Sequence, residues 1–140
     1  MLYLDTSFIA PIVLPEASSD AIEAFMSRRT PGEMAVSHWT RVEFAGLVAR
    51  RARMKELSDE QAMHAMAVFE QLLADSILVI QPSLSDYNLA IELINRHDSG
   101  LRSGDALHLA IAQNRRAEFF TLDEKLIKAA RILGIMAKNR

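Results

Sequence analysis

The sequence predicts an α/β domain with a mostly parallel central sheet of four to five strands flanked by helices. Three observations carry that expectation. Short apolar segments recur along the chain, each closed by a polar or turn-forming residue. Between them lie stretches long enough for helices, with apolar residues at helical spacing. The 140 residues suit one domain spanning 1–140, and half of them are hydrophobic, enough for a core without disulfide or metal staples.

Each element has its own signal. The first strand is Leu2 to Leu4, which stops at Asp5. Asp5, Thr6 and Ser7 are candidate N-caps for a helix beginning Phe8-Ile9-Ala10; Pro11 stands in or near its first turn, and Pro15 ends the segment. Ser18-Ser19-Asp20 opens a second helix carrying Ala21, Ile22, Phe25 and Met26. Thr30-Pro31-Gly32 turns into a second strand, Met34 to Ser37. A helical pattern runs from about Trp39 to Ala52, and the capping-box spacing of Ser58 and Gln61 opens another helix to about Ala74. Met54, Met63 and Met66 fall with Leu47, Val48 and Phe69 along these two helices, where core packing is expected by default and a partner surface for some of them is the alternative. Ile77 to Ile80 is the third strand, bounded by Pro82, and Ser85 to about Arg96 is helical. After a loop at His97–Gly100, Ser103-Gly104-Asp105 begins a helix to about Asn114. Phe119-Phe120-Thr121 is a short strand, Glu124 to Leu133 a helix stopped by Gly134, and Ile135 to Ala137 a last strand.

Charge and residue inventory narrow the chemistry. Residues 1–70 carry 7 basic and 10 acidic groups, residues 71–140 carry 9 and 8. Neither half holds nucleic acid by bulk charge, so such a role needs local patches or bound metal. The absence of cysteine excludes disulfides, thiolate nucleophiles and Cys-ligated metal centres. No apolar run approaches the ~20 residues of a membrane span, and the start lacks a basic signal region, so a soluble cytoplasmic protein is expected. The four histidines include no i,i+4 pair, no Gly-x-Ser-x-Gly elbow exists, and the five glycines form no phosphate-cradling loop. Asp5 has no second Asp two residues on, against an aspartyl-phosphate phosphatase.

What remains is acidic. Asp5, Glu43, Asp105 and Asp123 lie at strand-to-helix junctions or helix starts, separated by 38, 62 and 18 residues. Each has a structural reading. Asp5 is a possible N-cap; Glu43 completes a capping box if Thr40 is the cap; Asp105 follows a Ser103 cap in the first helical turn; Asp123 lies within Thr121-x-x-Glu124. His108 reads as a packing or hydrogen-bonded residue, and Asp86 and Asp98 as a helix start and a solvated loop. If the four acids converge, mutual repulsion raises some of their pKa values unless a cation is present, and hard oxygen ligands suit Mg²⁺. The basic run Arg50, Arg51, Arg53 and Lys55 is either a solvated helix end or a phosphate contact, and Arg102 stands beside Asp105 as a second candidate.

Four segments resemble the PIN domain family, in detail VapC-type toxins of toxin–antitoxin systems: Tyr3-Leu4-Asp5-Thr6-Ser7, Arg41-Val42-Glu43-Phe44, Ser103-Gly104-Asp105-Ala106-Leu107-His108-Leu109-Ala110, and Thr121-Leu122-Asp123-Glu124. The Asp-Ala-x-His-Leu-Ala block followed by Thr-x-Asp is the specific part, and the resemblance covers essentially the whole chain. It implies a PIN-like three-layer sandwich, with Asp5, Glu43, Asp105 and Asp123 lining one pocket that takes Mg²⁺ or Mn²⁺. Ser7 and Thr121 are implied to support the carboxylates. It further implies endonucleolytic cleavage of RNA to 5′-phosphate and 3′-hydroxyl ends, a homodimer, and a small VapB-like antitoxin covering the pocket. Metal-activated water attacking in line fits this chemistry. Two other readings stand beside it: a catalytically silent PIN-like module that binds RNA or protein, and an RNA-maturation nuclease without an antitoxin.

Overall fold

The computed structural model describes residues 1–139. Its strands are β1 (Leu2–Leu4), β2 (Met34–Ser37), β3 (Ile77–Ile80), β4 (Glu118–Phe120) and β5 (Ala137–Lys138). All pair in parallel in the order β3-β2-β1-β4-β5. The helices are α1 (Thr6–Val13), α2 (Ser19–Met26), α3 (His38–Arg53), α4 (Asp59–Ser76), α5 (Leu84–Ile94), α6 (Ser103–Asn114) and α7 (Glu124–Ile132), with a 3₁₀ turn at His97–Ser99.

Alternation along the strands divides the core in two. Leu4, Val36 and Phe120 face a cluster built from α1 to α4, including Phe8, Ile22, Phe44 and Phe69. Their neighbours Tyr3, Ala35 and Phe119 face the opposite cluster, built from α5 to α7. The result is an α/β/α three-layer sandwich. A sheet covered on both faces explains why its strands read as apolar runs. Seven consecutive residues of α6, Ala106 to Ala112, are buried, so this helix is wrapped by protein on all sides. No helix among the described residues is long and apolar enough to cross a membrane.

Several expectations shift. Pro11 sits within α1 and does not break it; the helix continues to Val13, and the Ser19 hydroxyl donates to the Pro11 carbonyl at 2.6 Å. The last strand begins two residues later than expected, because Ala137 and Lys138 are the residues that pair with Phe119 and Phe120. Met54 and Met63 are not core: they are 56% and 75% exposed, and only Met66 packs against the cluster. Asp86 stands at a helix start as expected, closing a capping box with Ser83, but solvent does not reach it. It is fully buried, accepting from Arg115 and Asn114 at 2.8 Å each and from the Ser83 amide.

Candidate active site

The strand order reverses at β1, and in open parallel sheets the crevice beyond such a reversal is where ligands bind. Asp5 follows β1 and Thr121 follows β4, the pair flanking that crevice. Asp5 caps α1, its Oδ1 accepting from the Phe8 amide at 3.0 Å and the Ser7 hydroxyl at 2.8 Å. Its Oδ2 accepts from the Thr121 hydroxyl at 2.7 Å. Ser7 also receives the Leu122 amide, and Thr121 the Asp123 amide, so the two hydroxyls tie the β4–α7 turn to α1. Asp5 is buried, and burial pushes its carboxyl up; His108, Thr121, Ser7 and the Phe8 amide partly restrain the rise.

Glu43 arrives from the second turn of α3. The cap of that helix is Ser37, in a reciprocal box with Thr40, so Glu43 is not a capping residue as the Thr40 spacing predicted. Its Oε2 accepts from the Thr6 hydroxyl and lies 2.7 Å from His108 Nε2. Burial would raise the Glu43 carboxyl, but His108, Thr6 and the neighbouring Trp39 indole outweigh it and hold the group below its ordinary range. Gly104, in the first turn of α6, packs against the same carboxylate: a Cβ there would stand 2.8 Å from Glu43 Oε1 and 3.0 Å from Trp39 Nε1. That indole nitrogen is buried without a hydrogen-bond partner among the described residues.

Asp105 follows in the same turn of α6. The N-cap position is Arg102, which makes no side-chain capping bond, so the expected Ser103 cap is not formed. Asp105 is half-buried and accepts no hydrogen bond among the described residues. Burial raises its carboxyl, the Asp123 charge adds to this, Arg102 and His108 oppose it, and Glu43 raises it further. Asp123 is itself the N-cap of α7, where Thr121 had been the expected cap. Its Oδ1 accepts from the Lys125 and Leu126 amides at 2.7 and 3.2 Å.

The fold therefore draws Glu43, Asp105 and Asp123 into one electrostatic neighbourhood, with Asp5 buried at its base. Among the described residues no three acidic or histidine side chains close around a common point. Among the described residues both oxygens of Asp105, Oε1 of Glu43 and Oδ2 of Asp123 accept no hydrogen bond, and Oδ2 of Asp5, with one donor, keeps a second lone pair. That donor set fits a hard divalent cation that keeps most of its waters and takes one or two carboxylates directly. The basic run is not brought to the acids. It closes α3, about 10–15 Å along the helix from Glu43, and Arg51 is paired with Glu16 there. Arg102 is exposed at the rim, within the field of Asp105.

Thr6, Tyr3, Trp39 and Gly104 also shape this site and were not singled out for it from sequence. His108 offered one signal, its place three residues after Asp105 on the same helix face.

The PIN domain family profile matches residues 2–132. No curated protein sequence matches the chain significantly. Three solved structures show the extent of the likeness. VapC20 of Mycobacterium tuberculosis, a toxin that cleaves the sarcin–ricin loop, is 19% identical with 97% of each chain covered and a TM-score of 0.73. A toxin–antitoxin complex from Klebsiella pneumoniae is 20% identical, covering 97% of this chain and 96% of that one, with a TM-score of 0.69. VapBC2 from Rickettsia felis, bound to a DNA fragment from its promoter, is 22% identical, covering 99% and 98%, with a TM-score of 0.67. At these identities the likeness is one of fold. Joined to a profile match across nearly all residues, it establishes that the chain belongs to the PIN domain family.

Proposed function

We propose that this protein is a metal-dependent endoribonuclease, the toxin of a VapBC-type pair, with residues 1–140 forming one PIN domain that acts in the cytoplasm. The observation that carries the reading is the half-buried carboxyl of Asp105, raised first by burial and then by the Asp123 charge, with Arg102 and His108 opposing and Glu43 adding a smaller push, and left without a hydrogen-bond donor among the described residues. A cluster of that kind is costly in an empty site and is relieved by a cation.

In this reading Asp105, Glu43, Asp123 and Asp5 hold Mg²⁺ or Mn²⁺. When bound, such an ion polarises a phosphoryl oxygen and lowers the pKa of water. The chain's own residues do the rest. Ser7 and Thr121 fix both oxygens of Asp5. Arg102, exposed beside Asp105, is suited to hold a phosphate of the RNA at the rim. Arg50, Arg53 and the partly engaged Arg51 offer a more distant backbone contact. The resemblance adds 5′-phosphate and 3′-hydroxyl products, a homodimer and a small VapB-like antitoxin. Toxin–antitoxin complexes among the similar structures support that partner.

The test is direct. Protein purified free of any partner should cut a structured RNA with Mg²⁺ or Mn²⁺ and stop in EDTA. Its expression alone should arrest growth, and a cognate small partner should relieve the arrest. Undiminished cleavage in EDTA overturns the metal mechanism. Absence of cleavage with either ion favours the silent binding module, and cleavage without growth arrest favours the RNA-maturation nuclease.

A further inference from the structure

Glu43 is fixed at one oxygen and open at the other. Oε2 receives the Thr6 hydroxyl and contacts His108 Nε2 at 2.7 Å. Oε1 accepts no completed hydrogen bond among the described residues; the Trp39 indole N–H stands beside the carboxylate without forming one, and Gly104 closes one side of Oε1. His108 is 1% exposed, on the second turn of α6 beneath Asp105. Its other nitrogen, Nδ1, lies 2.8 Å from the Tyr3 hydroxyl. Tyr3 is fully buried, and its hydroxyl lies 2.9 Å from the hydroxyl of Ser37, which caps α3, the helix that carries Glu43. The chain of contacts thus runs from α3 to α6 to β1 and back to the start of α3.

Proton counting constrains the imidazole. A carboxylate oxygen only accepts, so the 2.7 Å contact needs a hydrogen on Nε2. If the Tyr3 hydroxyl donates to Nδ1, the ring is neutral with its single hydrogen on Nε2. If Tyr3 donates to Ser37 instead, Nδ1 donates to the Tyr3 oxygen and both ring nitrogens carry hydrogens. Nε2–H faces Glu43 in either arrangement. A histidine that merely filled space would have no need of two buried, oppositely directed polar partners.

We propose that His108 is a positioning residue: with Thr6 it pins Glu43 Oε2 and so selects Oε1 as the oxygen Glu43 presents to the ion, while Tyr3 and Ser37 hold the ring in place. The inference rests on the reading of Glu43 as an ion ligand. Its physical basis is the freedom of a glutamate side chain, whose three torsions would otherwise spread the carboxylate over several rotamers. Partners that hold a ligating carboxylate commonly affect ion affinity by roughly 10–100-fold.

Two isosteric variants separate the contacts. Gln at 108 places its amide N–H near the position of Nε2, and Asn places its amide near Nδ1. Mn²⁺ affinity is read by electron paramagnetic resonance of free Mn²⁺, without RNA, alongside melting curves in EDTA. His108→Gln is expected to retain Mn²⁺ affinity within a few fold, and His108→Asn to lose roughly tenfold or more even where its melting temperature matches that of His108→Gln. Asp105→Asn serves as the control for the ion site. If Asp105→Asn loses Mn²⁺ and His108→Asn does not, the positioning role falls and the ion-site reading stands. If Asp105→Asn binds Mn²⁺ like wild type, the ion-site reading itself falls. Nitrogen-15 histidine spectra of metal-free wild type supply a readout independent of any variant's folding: a directly bonded hydrogen on Nε2 is expected, and its absence overturns the inference.

Discussion

Asp5 engages both carboxylate oxygens in a site only 4% exposed, taking an amide and two hydroxyl hydrogens. Asn is nearly the same shape and caps a helix about as well. Its carbonyl can keep the Phe8 and Ser7 donors, and the Thr121 hydroxyl can turn to accept from its amide. The buried charge, however, is gone. Asp5→Asn is therefore expected to fold, to melt no lower than wild type in EDTA, and to show a smaller rise in melting temperature with Mg²⁺. Its RNA cleavage should fall to background; wild-type cleavage would remove Asp5 from the chemistry. The four acids and the two hydroxyls Ser7 and Thr121 stood out in the sequence because short motifs surround them. The donors that orient Glu43 did not. Thr6, His108 and Tyr3 meet it or one another across separations of 37, 65 and 105 residues, which no local spacing encodes. One capping reading holds as well: Asp5 caps α1, whereas α7 is capped by Asp123 in place of Thr121.

Between elements, the closest fit at the site is α6 against α3 at Gly104. A Cβ would meet the end of the Glu43 side chain at 2.8 Å and the Trp39 indole at 3.0 and 3.3 Å, so both must give way. Ala also favours a helix over Gly by up to about 1 kcal/mol. With the helix gain offsetting the displaced indole, Gly104→Ala should change the melting temperature in EDTA little while weakening Mn²⁺ binding and RNA cleavage together. Undiminished binding and cleavage would mean that Glu43 relaxes at no cost to its role. The element boundaries followed the strength of their local signals. Helix α6 was legible apart from its cap, which is Arg102 and not Ser103, and β1, β2 and β3 matched their apolar runs. The Met54 and Met63 expectation failed because helical spacing gives a face but not what covers it. The final strand moved because pairing with β4, not its own apolarity, selects the residues that extend.

For the whole molecule, the Asp86 network is a measure of fold integrity, joining the start of α5 to the end of α6. Burial alone would raise Asp86, but Arg115, the Ser83 amide, Asn114 and the Ser83 hydroxyl hold its carboxyl at about 2, against 3.8 ordinarily. A depressed value stabilises the fold above the unfolded pKa, and that contribution, about 2 kcal/mol, is lost as pH falls through the folded one. Arg115→Met should therefore cost on the order of 2–4 kcal/mol at pH 7, and the gap from wild type should shrink as urea unfolding is repeated from pH 5 down toward 2. A gap that stays constant with pH would mean that Arg115 contributes by packing alone. The α/β class and the parallel sheet were legible from alternating apolar runs and helices, whereas this network was not, since Asp86 and Arg115 lie 29 residues apart. The strand order has a further consequence, in time. β1 is made first yet sits at the centre of the sheet, and its partner β4 starts with Glu118 opposite Leu2. At roughly 5–20 residues per second, a ribosome takes on the order of ten seconds to travel from Asp5 to Asp123. Through that interval the nascent chain holds an incomplete set, gaining Glu43 and then Asp105 before Asp123, and its first strand lacks β4 as a neighbour. Whatever chemistry the crevice performs is thus withheld from the growing polypeptide until its final segments emerge, a delay written into the topology.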